Sequence, residues 1–181
     1  MAMAIKAVLF MLINASAPQS IKQYYFYFLY FSFYQAMRLT TFTDYTLRVL
    51  MYLAVEPGRL ATISEMAAAY AISENHLMKV VYQLGQTGVV ESIRGKGGGV
   101  RLARRPQDIR LGKVIRASEG VAPIVECLSP EGGFCRITPA CRLAGILSEA
   151  FEALYASLDA YTVEDLVTNR RALRRLLAAR P

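Results

Sequence analysis

The chain has 181 residues, of which 54% are hydrophobic, and it carries a formal net charge of +7. This length allows one ordinary domain or a small domain with appendages, and the positive charge favours a polyanionic partner, nucleic acid first and an anionic membrane second. The chain contains a single histidine, which excludes most His-dependent catalytic triads, and no phosphate loop ending in Lys-Ser or Lys-Thr is present. We therefore do not expect an enzyme.

Residues 1–36 differ from the remainder of the chain, because they contain Lys6 and Lys22 and no acidic residue. A short apolar run before Ala15-Ser16-Ala17 is typical of a secretory signal, and an aromatic-rich run covers residues 21–34. Neither run has the roughly 20 residues that a membrane-spanning helix needs. We expect translation to start at Met37 and residues 1–36 to be a spurious or unstructured extension. An export or membrane segment and a packed appendage are the alternatives.

The segment 37–119 has the element order of a winged helix-turn-helix domain. The periodicity of its apolar residues predicts a first helix that is capped by Thr43-Asp44. A short helix beginning at Thr62 or Ser64 and a second helix beginning at Ser73 are joined by a tight turn. Two short helices in this arrangement form a helix-turn-helix, in which the second is the recognition helix.

The glycine-rich stretch R-G-K-G-G-G at 94–99 lies between two short apolar segments, and Gly88 ends the recognition helix before them. This pattern predicts a β-hairpin, and a hairpin directly after a helix-turn-helix is a wing. Glycines allow the tip of such a wing to approach a DNA backbone closely, and Arg94 and Lys96 supply positive charge there. The wing is therefore expected to contact DNA.

Side chains early in the recognition helix are candidates for contacts with base edges. A solvated helix face with a histidine next to the cap is the alternative. The full set of candidate DNA-binding residues is Ser73, Asn75, His76, Lys79, Arg94 and Lys96. Arg48 and the T-T-F-T segment at 40–43 could face either phosphate or a metal centre.

A further helix is predicted over 109–119, and the loop 120–142 that follows contains the only three cysteines, Cys127, Cys135 and Cys141. An odd number of closely spaced cysteines fits a metal site or reactive thiols better than a disulfide framework. Their spacing is looser than the cysteine pairs of zinc sites, whereas iron–sulfur clusters tolerate irregular spacing. From the spacing alone, a cluster, a zinc site and plain thiols all remain open.

The segment 143–181 is predicted to form a long helix and a C-terminal tail. Residues 143–158 place an apolar stripe on one side of the helix, which is typical of a dimerisation helix. Thr162 is expected to cap a short helix after it. The arginines at 170, 171, 174 and 175 are expected to form a solvated helix end, and a second DNA site is the alternative.

Four stretches of the chain carry a resemblance to a known family: M-R-L-T-T-F-T-D-Y-T-L-R from Met37, S-E-N-H-L-M-K-V-V, R-G-K-G-G-G-V-R-L and C-R-I-T-P-A-C-R-L. From Met37 onward the chain resembles the iron–sulfur winged-helix regulators typified by IscR and NsrR, and it is most similar to the nitric-oxide-sensing NsrR type. The resemblance covers essentially all of the chain after residue 36 and none of residues 1–36.

The resemblance implies a homodimer with one iron–sulfur cluster per subunit, of the 2Fe-2S or 4Fe-4S kind. It implies that Cys127, Cys135 and Cys141 are cluster ligands and that Asp44 of the other subunit supplies a further ligand. The histidine ligand of the IscR type is replaced here by Ala144, which favours the NsrR type. For Asp44, a helix cap is the alternative role.

The predicted fold is therefore mainly α with a small β-hairpin, and the predicted function is a cytoplasmic, dimeric repressor. It would bind double-stranded operator DNA, control nitrosative-stress genes and respond to nitric oxide through a shift between conformations. A regulator of iron–sulfur biogenesis or iron status is an alternative of the same class. A membrane-tethered thiol or zinc protein is an alternative of another class, and it requires residues 1–36 to be present.

Overall fold

The computed structural model describes residues 38–120, 125–129 and 133–178. The chain divides into two units, Met1–Arg38 and Leu39–Pro181, and the elements described below all belong to the second. The expectations for residues 1–36 and for a start at Met37 fall outside the described residues. No helix among the described residues is long and apolar enough to cross a membrane.

Seven α-helices and one antiparallel pair of strands are found in the described part of the chain. Their bounds are α1 Thr41–Val55, α2 Ile63–Tyr70, α3 Glu74–Gln86, β1 Val90–Ile93, β2 Gly99–Leu102, α4 Leu111–Glu119, α5 Leu143–Leu158, α6 Val163–Leu166 and α7 Arg170–Ala178. Short 3₁₀ turns lie at Pro106–Asp108, Glu126–Leu128 and Thr138–Ala140. The predicted fold, mainly α with one small hairpin, is confirmed.

Helix α1 begins earlier than the sequence predicts. Thr40 is its N-cap, with an extended backbone, and its Oγ1 accepts a hydrogen bond from the backbone N–H of Thr43 at 3.2 Å. The prediction that Thr43-Asp44 caps the helix was wrong, because the first of several threonines already satisfies the free N–H groups. Asp44 therefore lies inside the first turn, where its own N–H donates to the carbonyl of Thr40 at 3.0 Å.

Helices α2 and α3 form the predicted helix-turn-helix. Thr62 and Glu65 make a reciprocal capping box at the start of α2, and Ala71 adopts a left-handed conformation with φ 53° in the turn. Ser73 occupies the N-cap position of α3, although its side chain makes no capping hydrogen bond. The predicted inward residues of α3 are all buried: Leu77, Val80, Val81 and Leu84.

The wing is an antiparallel hairpin in which Val90 pairs with Leu102 and Ile93 pairs with Gly99. The loop before α2 adds a further bridge, since Ala61 and Val100 exchange two backbone hydrogen bonds of 2.8 and 2.9 Å. A side chain at Gly98 would clash with the carbonyl oxygen of Ile93. The glycine run is therefore required by the tight tip itself.

The C-terminal elements pack back onto the winged helix. Val163 and Val167 are fully buried in the same core as α1. Helix α4 begins at Leu111 rather than at residue 109, because Arg110 is extended and bridges Thr162. The tail that follows α5 thus contributes to the core that supports the recognition helix.

Candidate metal centre and nucleic-acid interface

Helix α3 presents the residues that the sequence assigns to DNA. Asn75, His76 and Lys79 are all exposed, while Leu77 between them is fully buried. The helix is thus held by its apolar side and leaves its polar side free. The His76 ring lies 5.9 Å from the ring of Tyr45 in α1, so this histidine is placed by an aromatic contact.

Two further side chains share this exposed face and were missed in the sequence. Met78 and Tyr82 are 50% and 70% exposed, and with Phe42 they line a shallow, open groove beside Lys79. Helical periodicity could have identified them, because Met78 and Tyr82 lie three and seven positions after Asn75, on the same side of the helix. Large exposed apolar groups of this kind mark an interaction surface.

The tip of the wing carries free positive charge. Arg94 and Lys96 are exposed, and no carboxylate in the described residues pairs with either of them. By contrast, Arg101 on β2 is paired with Glu91 at 2.6 Å. The two tip residues are therefore available to a polyanion, and their contact with DNA stays a prediction.

Asp44 is half-exposed and is held by Arg48 one turn later in α1. Two contacts join them, Nε to Oδ1 at 3.1 Å and Nη2 to Oδ2 at 2.9 Å. The Arg48 guanidinium lies 5.8 Å from the centre of the Tyr70 ring at the end of α2. Burial raises the pKa of Tyr70 to about 12, although Arg48 acts in the opposite direction. Arg48 therefore connects Asp44 to the helix-turn-helix.

The three cysteines are free, half-buried thiols. The described residues, which omit 121–124 and 130–132, contain no group of three or more His, Cys, Asp or Glu side chains placed to hold a metal ion. The donor set nevertheless suits iron, because thiolates are the ligands of iron–sulfur clusters and none of these sulfurs is in a disulfide. The ligand roles of Cys127, Cys135, Cys141 and Asp44 stay predictions.

Glu126 joins the segments that carry Cys127 and Cys135. Its Oε1 accepts a hydrogen bond from the backbone N–H of Phe134 at 2.6 Å. Gly133 lies directly against the same residue, since an added Cβ would meet the Glu126 carbonyl oxygen at 2.8 Å. Glu126 and Phe134, each next to a cysteine, thus join the two segments of the loop, and neither was identified from the sequence.

Cys141 is positioned by the start of α5. Its Sγ accepts a hydrogen bond from the backbone N–H of Leu143, the first residue of the helix, at 3.4 Å. This hydrogen bond joins the Cys141 sulfur to the first residue of α5.

A polar cluster of Thr40, Thr43, Ser118 and Glu119 connects α1 to the end of α4. Glu119 Oε1 accepts hydrogen bonds from the backbone N–H of Thr40 at 2.8 Å and from its hydroxyl at 3.2 Å. The buried Thr43 hydroxyl donates to Ser118 Oγ at 2.9 Å. The threonines thus serve a contact within the chain, at the residue that precedes the cysteine loop. Neither Ser118 nor Glu119 carried a signal in the sequence.

The family model described as an iron-dependent transcriptional regulator, Rrf2, matches residues 39–169. The chain belongs to the Rrf2 family. The match includes the winged helix, all three cysteines and α5. The match therefore spans every described element from α1 to α6.

Curated Rrf2 relatives share most of this chain. The HTH-type transcriptional regulator NsrR of Bacillus subtilis (strain 168) is 51% identical over 142 residues, covering 78% of this chain and 97% of that protein. The regulator of the same name from Geobacillus kaustophilus (strain HTA426) is 48% identical over 145 residues, covering 80% and 99%. These relatives are transcriptional regulators, which confirms the prediction of an NsrR-type regulator rather than an enzyme.

Solved structures of the Rrf2 family share the fold. CymR, described as the global cysteine regulator of B. subtilis, is 32% identical with a TM-score of 0.57, covering 73% of this chain and 97% of that chain. IscR of T. potens has a TM-score of 0.57 and covers 74% and 88%, at 24% identity. At that identity the second likeness concerns the fold alone.

Helix α5 of this Rrf2 protein leaves one side of its apolar stripe in solvent. Leu143, Ile146 and Leu154 are 50%, 56% and 38% exposed. The opposite side is docked on α4, where Arg116 makes two contacts of 2.6 Å with Glu152 and lies 4.2 Å from the Tyr155 ring. The helix is thus fixed on one side and open on the other.

The C-terminal arginines are partly used within the chain. Arg170 pairs with Glu164 at 2.6 Å and donates to the carbonyl of Ala54 at 3.3 Å. Arg174 pairs with Glu56 at 2.7 Å. Two of the four arginines are thus engaged within the chain rather than solvated as expected, and the alternative of a second DNA site stays untested.

Proposed function

We propose that this Rrf2-family protein is an iron–sulfur repressor that senses nitric oxide, binds operator DNA as a homodimer and controls nitrosative-stress genes in the cytoplasm. The observation that carries the proposal is the connection between the cysteine loop and the start of α1. A loop with three free thiols leads directly from the α4 end that is bonded to α1. The similarity to regulators named NsrR supports the choice of effector.

In this proposal, Cys127, Cys135 and Cys141 hold the cluster and Asp44 of the second subunit completes its ligands. The cluster, of two or four irons, supplies iron that reacts with nitric oxide. Glu126 holds the segments of the first two cysteines together, and the start of α5 orients the third. To hold the cluster, Asp44 would have to release Arg48, which it contacts at 2.9 Å.

The proposed response passes through contacts within the chain. When thiolate ligands are lost, the loop relaxes, and the end of α4 is no longer fixed from the loop side. Glu119 and Ser118 hold the start of α1, so a shift of α4 reaches the helix that packs against α3. The spacing of the two recognition helices then changes, and the operator is released.

The exposed side of α5 is proposed as the dimer interface. Leu143, Ile146 and Leu154 lie in solvent in the single chain, and an isologous contact between two such helices would bury them. Cys141 lies two residues before α5, so a dimer through α5 would bring the end of each cysteine loop near the partner subunit. This arrangement is required if Asp44 of one subunit serves the loop of the other.

The proposal is tested with full-length protein purified without oxygen. We expect a coloured protein that contains iron and acid-labile sulfide and that loses operator binding in an anisotropy assay after nitric oxide is added. Cys135→Ala should lose colour, sulfide and repression, whereas the exposed neighbour Arg136→Ala should keep all three. Stoichiometric zinc without sulfide contradicts the proposal. Release from DNA upon iron depletion but not with nitric oxide would favour the iron-status regulator.

We also propose that translation starts at Met37. The family match begins at residue 39, two residues after this methionine, which supports an internal start. The intact mass of the protein made in its native host checks this, with a first residue at or next to Met37 expected. Peptides from residues 1–36 in a membrane fraction would contradict it.

A further inference from the structure

A cavity of about 250 Å³ lies between α1, the C-terminal part of α3 and α4. This volume has room for roughly eight waters at about 30 Å³ each, which suits a small molecule. The lining of the cavity includes none of Asn75, His76 and Lys79, and none of the described residues of the cysteine loop. Its walls include Gln83, whose Nε2 donates to the carbonyl of Ala117 at 2.8 Å, so the cavity lies where the recognition helix meets α4.

Three cationic side chains border this cavity: Arg104, Arg110 and Lys113. Within the described residues, none of them forms an ion pair with a carboxylate. Asp108 also borders the cavity, but Arg105 binds it at 2.8 Å and this hydrogen bond lowers the pKa of Asp108. The cavity therefore has an excess of positive charge.

The threonine hydroxyl groups that line the cavity already donate hydrogen bonds within the chain and are not free to donate to a ligand. The Thr46 hydroxyl donates to the carbonyl of Phe42 at 2.9 Å, and the Thr87 hydroxyl donates to that of Leu84 at 3.0 Å. Arg110 Nη1 donates to the carbonyl of Asp159 at 3.3 Å. Among the described residues, the side-chain donors left for a ligand are therefore mainly those of Arg104 and Lys113. The floor is apolar, formed by Leu84, Ile109 and Val114.

We propose that this cavity binds a small organic anion, with its carboxylate against Arg104 and Lys113 and its apolar body over Leu84 and Val114. Charge-assisted hydrogen bonds supply orientation, and the apolar floor supplies burial. Inorganic phosphate matches the cations but leaves the floor uncovered. A bound anion would contact both the recognition helix and the helix that leads to the cysteine loop. The proposal does not depend on the iron centre or on nitric oxide.

The test uses 4-fluorobenzoate as the probe, with full-length protein, calorimetry and fluorine NMR. Saturable binding is expected for this anion, and markedly weaker binding for the uncharged isostere 4-fluorobenzamide and for inorganic phosphate. Arg104→Gln and Lys113→Gln should each weaken binding roughly tenfold. Ala117→Leu should block the cavity while keeping its charges. Arg171→Gln removes one charge outside the cavity and should leave binding unchanged.

Several results overturn the proposal. Equal binding of the amide would show that the cations play no part, and binding of phosphate without the carboxylate would show that the floor plays none. The site is also wrong if Ala117→Leu binds as tightly as the original protein, or if Arg171→Gln weakens binding as much as Lys113→Gln. The thermal unfolding midpoint of each variant is measured first, so that loss of fold is not read as loss of binding.

Discussion

The winged-helix region and the cysteine loop differ in how many of their side chains are buried by contacts within a single chain. In the first, Leu50, Leu77 and Val80 have no exposed surface at all. In the described residues of the loop, no side chain is buried, and Phe134 is 97% exposed. The DNA-binding region is thus stabilised by its own core, whereas the loop depends on a few hydrogen bonds.

This difference allows the loop to change conformation while the DNA-binding region keeps its fold. A region with a complete core keeps its shape under many conditions, while a segment with few buried contacts opens at low free-energy cost. A ligand that binds the loop can therefore change the conformation of the loop without unfolding the DNA-binding region. The proposed iron centre thus lies in a part of the chain that a ligand can reorder at low free-energy cost.

The largest expected contrast is in folding stability. Leu50→Ala should lower the free energy of unfolding by about 2–5 kcal/mol, because it leaves a cavity in a fully buried site. Phe134→Ala should change it by less than about 0.5 kcal/mol in metal-free protein. Urea denaturation followed by circular dichroism measures both. A comparable loss in the two variants would mean that the loop belongs to the cooperative core.

A second contrast lies between two glycines, one in the cysteine loop and one in α5. Gly133→Ala places a methyl group against the backbone of Glu126, whereas Gly145→Ala in α5 meets nothing within 4 Å. The first change should separate the Cys127 and Cys135 segments and reduce the iron retained per chain several-fold, and the second should leave it unchanged. Iron and sulfide analysis after identical reconstitution checks this. Equal iron in both variants would remove Glu126 from the proposed site.

The DNA-binding region can be dissected in the same way. Asn75→Ala should cost about 1–3 kcal/mol on the specific operator and little on random DNA, because a base contact carries sequence information. Lys96→Ala should weaken all sequences alike and reduce the slope of log affinity against log salt by about 1. Salt titrations with both DNAs measure these effects. An unchanged slope for Lys96→Ala would reject the wing contact.

Modest effects on stability are expected at the start of α1, where the N-cap Thr40 and the proposed ligand Asp44 are separate residues. Thr40→Ala should cost about 1 kcal/mol of stability as a lost N-cap. Asp44→Ser removes only a surface ion pair, for about 0–1 kcal/mol, yet it should alter the absorption spectrum and the nitric oxide response. Unfolding curves and anaerobic spectra distinguish the two. An unaltered spectrum in Asp44→Ser would reject the ligand role.

The sequence predicted the elements that follow from local patterns. Apolar periodicity located α3 and α5, and the glycine run located the wing, because both depend on nearby residues. The capping residue of α1 was missed, since three threonines in one short run compete for the position. The contact of Glu119 with Thr40 joins residues 79 positions apart, and no local pattern encodes it. The cavity beside Lys113 is formed between three helices, and no local pattern in the sequence predicts it.

The burial of α6 against α1 has a consequence for how the protein is made. Val163 and Val167 are fully buried in the core that contains Val49 and Leu50, and Arg170 bonds to a carbonyl 116 positions earlier. Such distant contacts form late, since the intervening chain must be available first. During synthesis, the core therefore closes only after all three cysteines have left the ribosome. A molecule whose DNA-binding region has finished folding already possesses its complete cysteine loop.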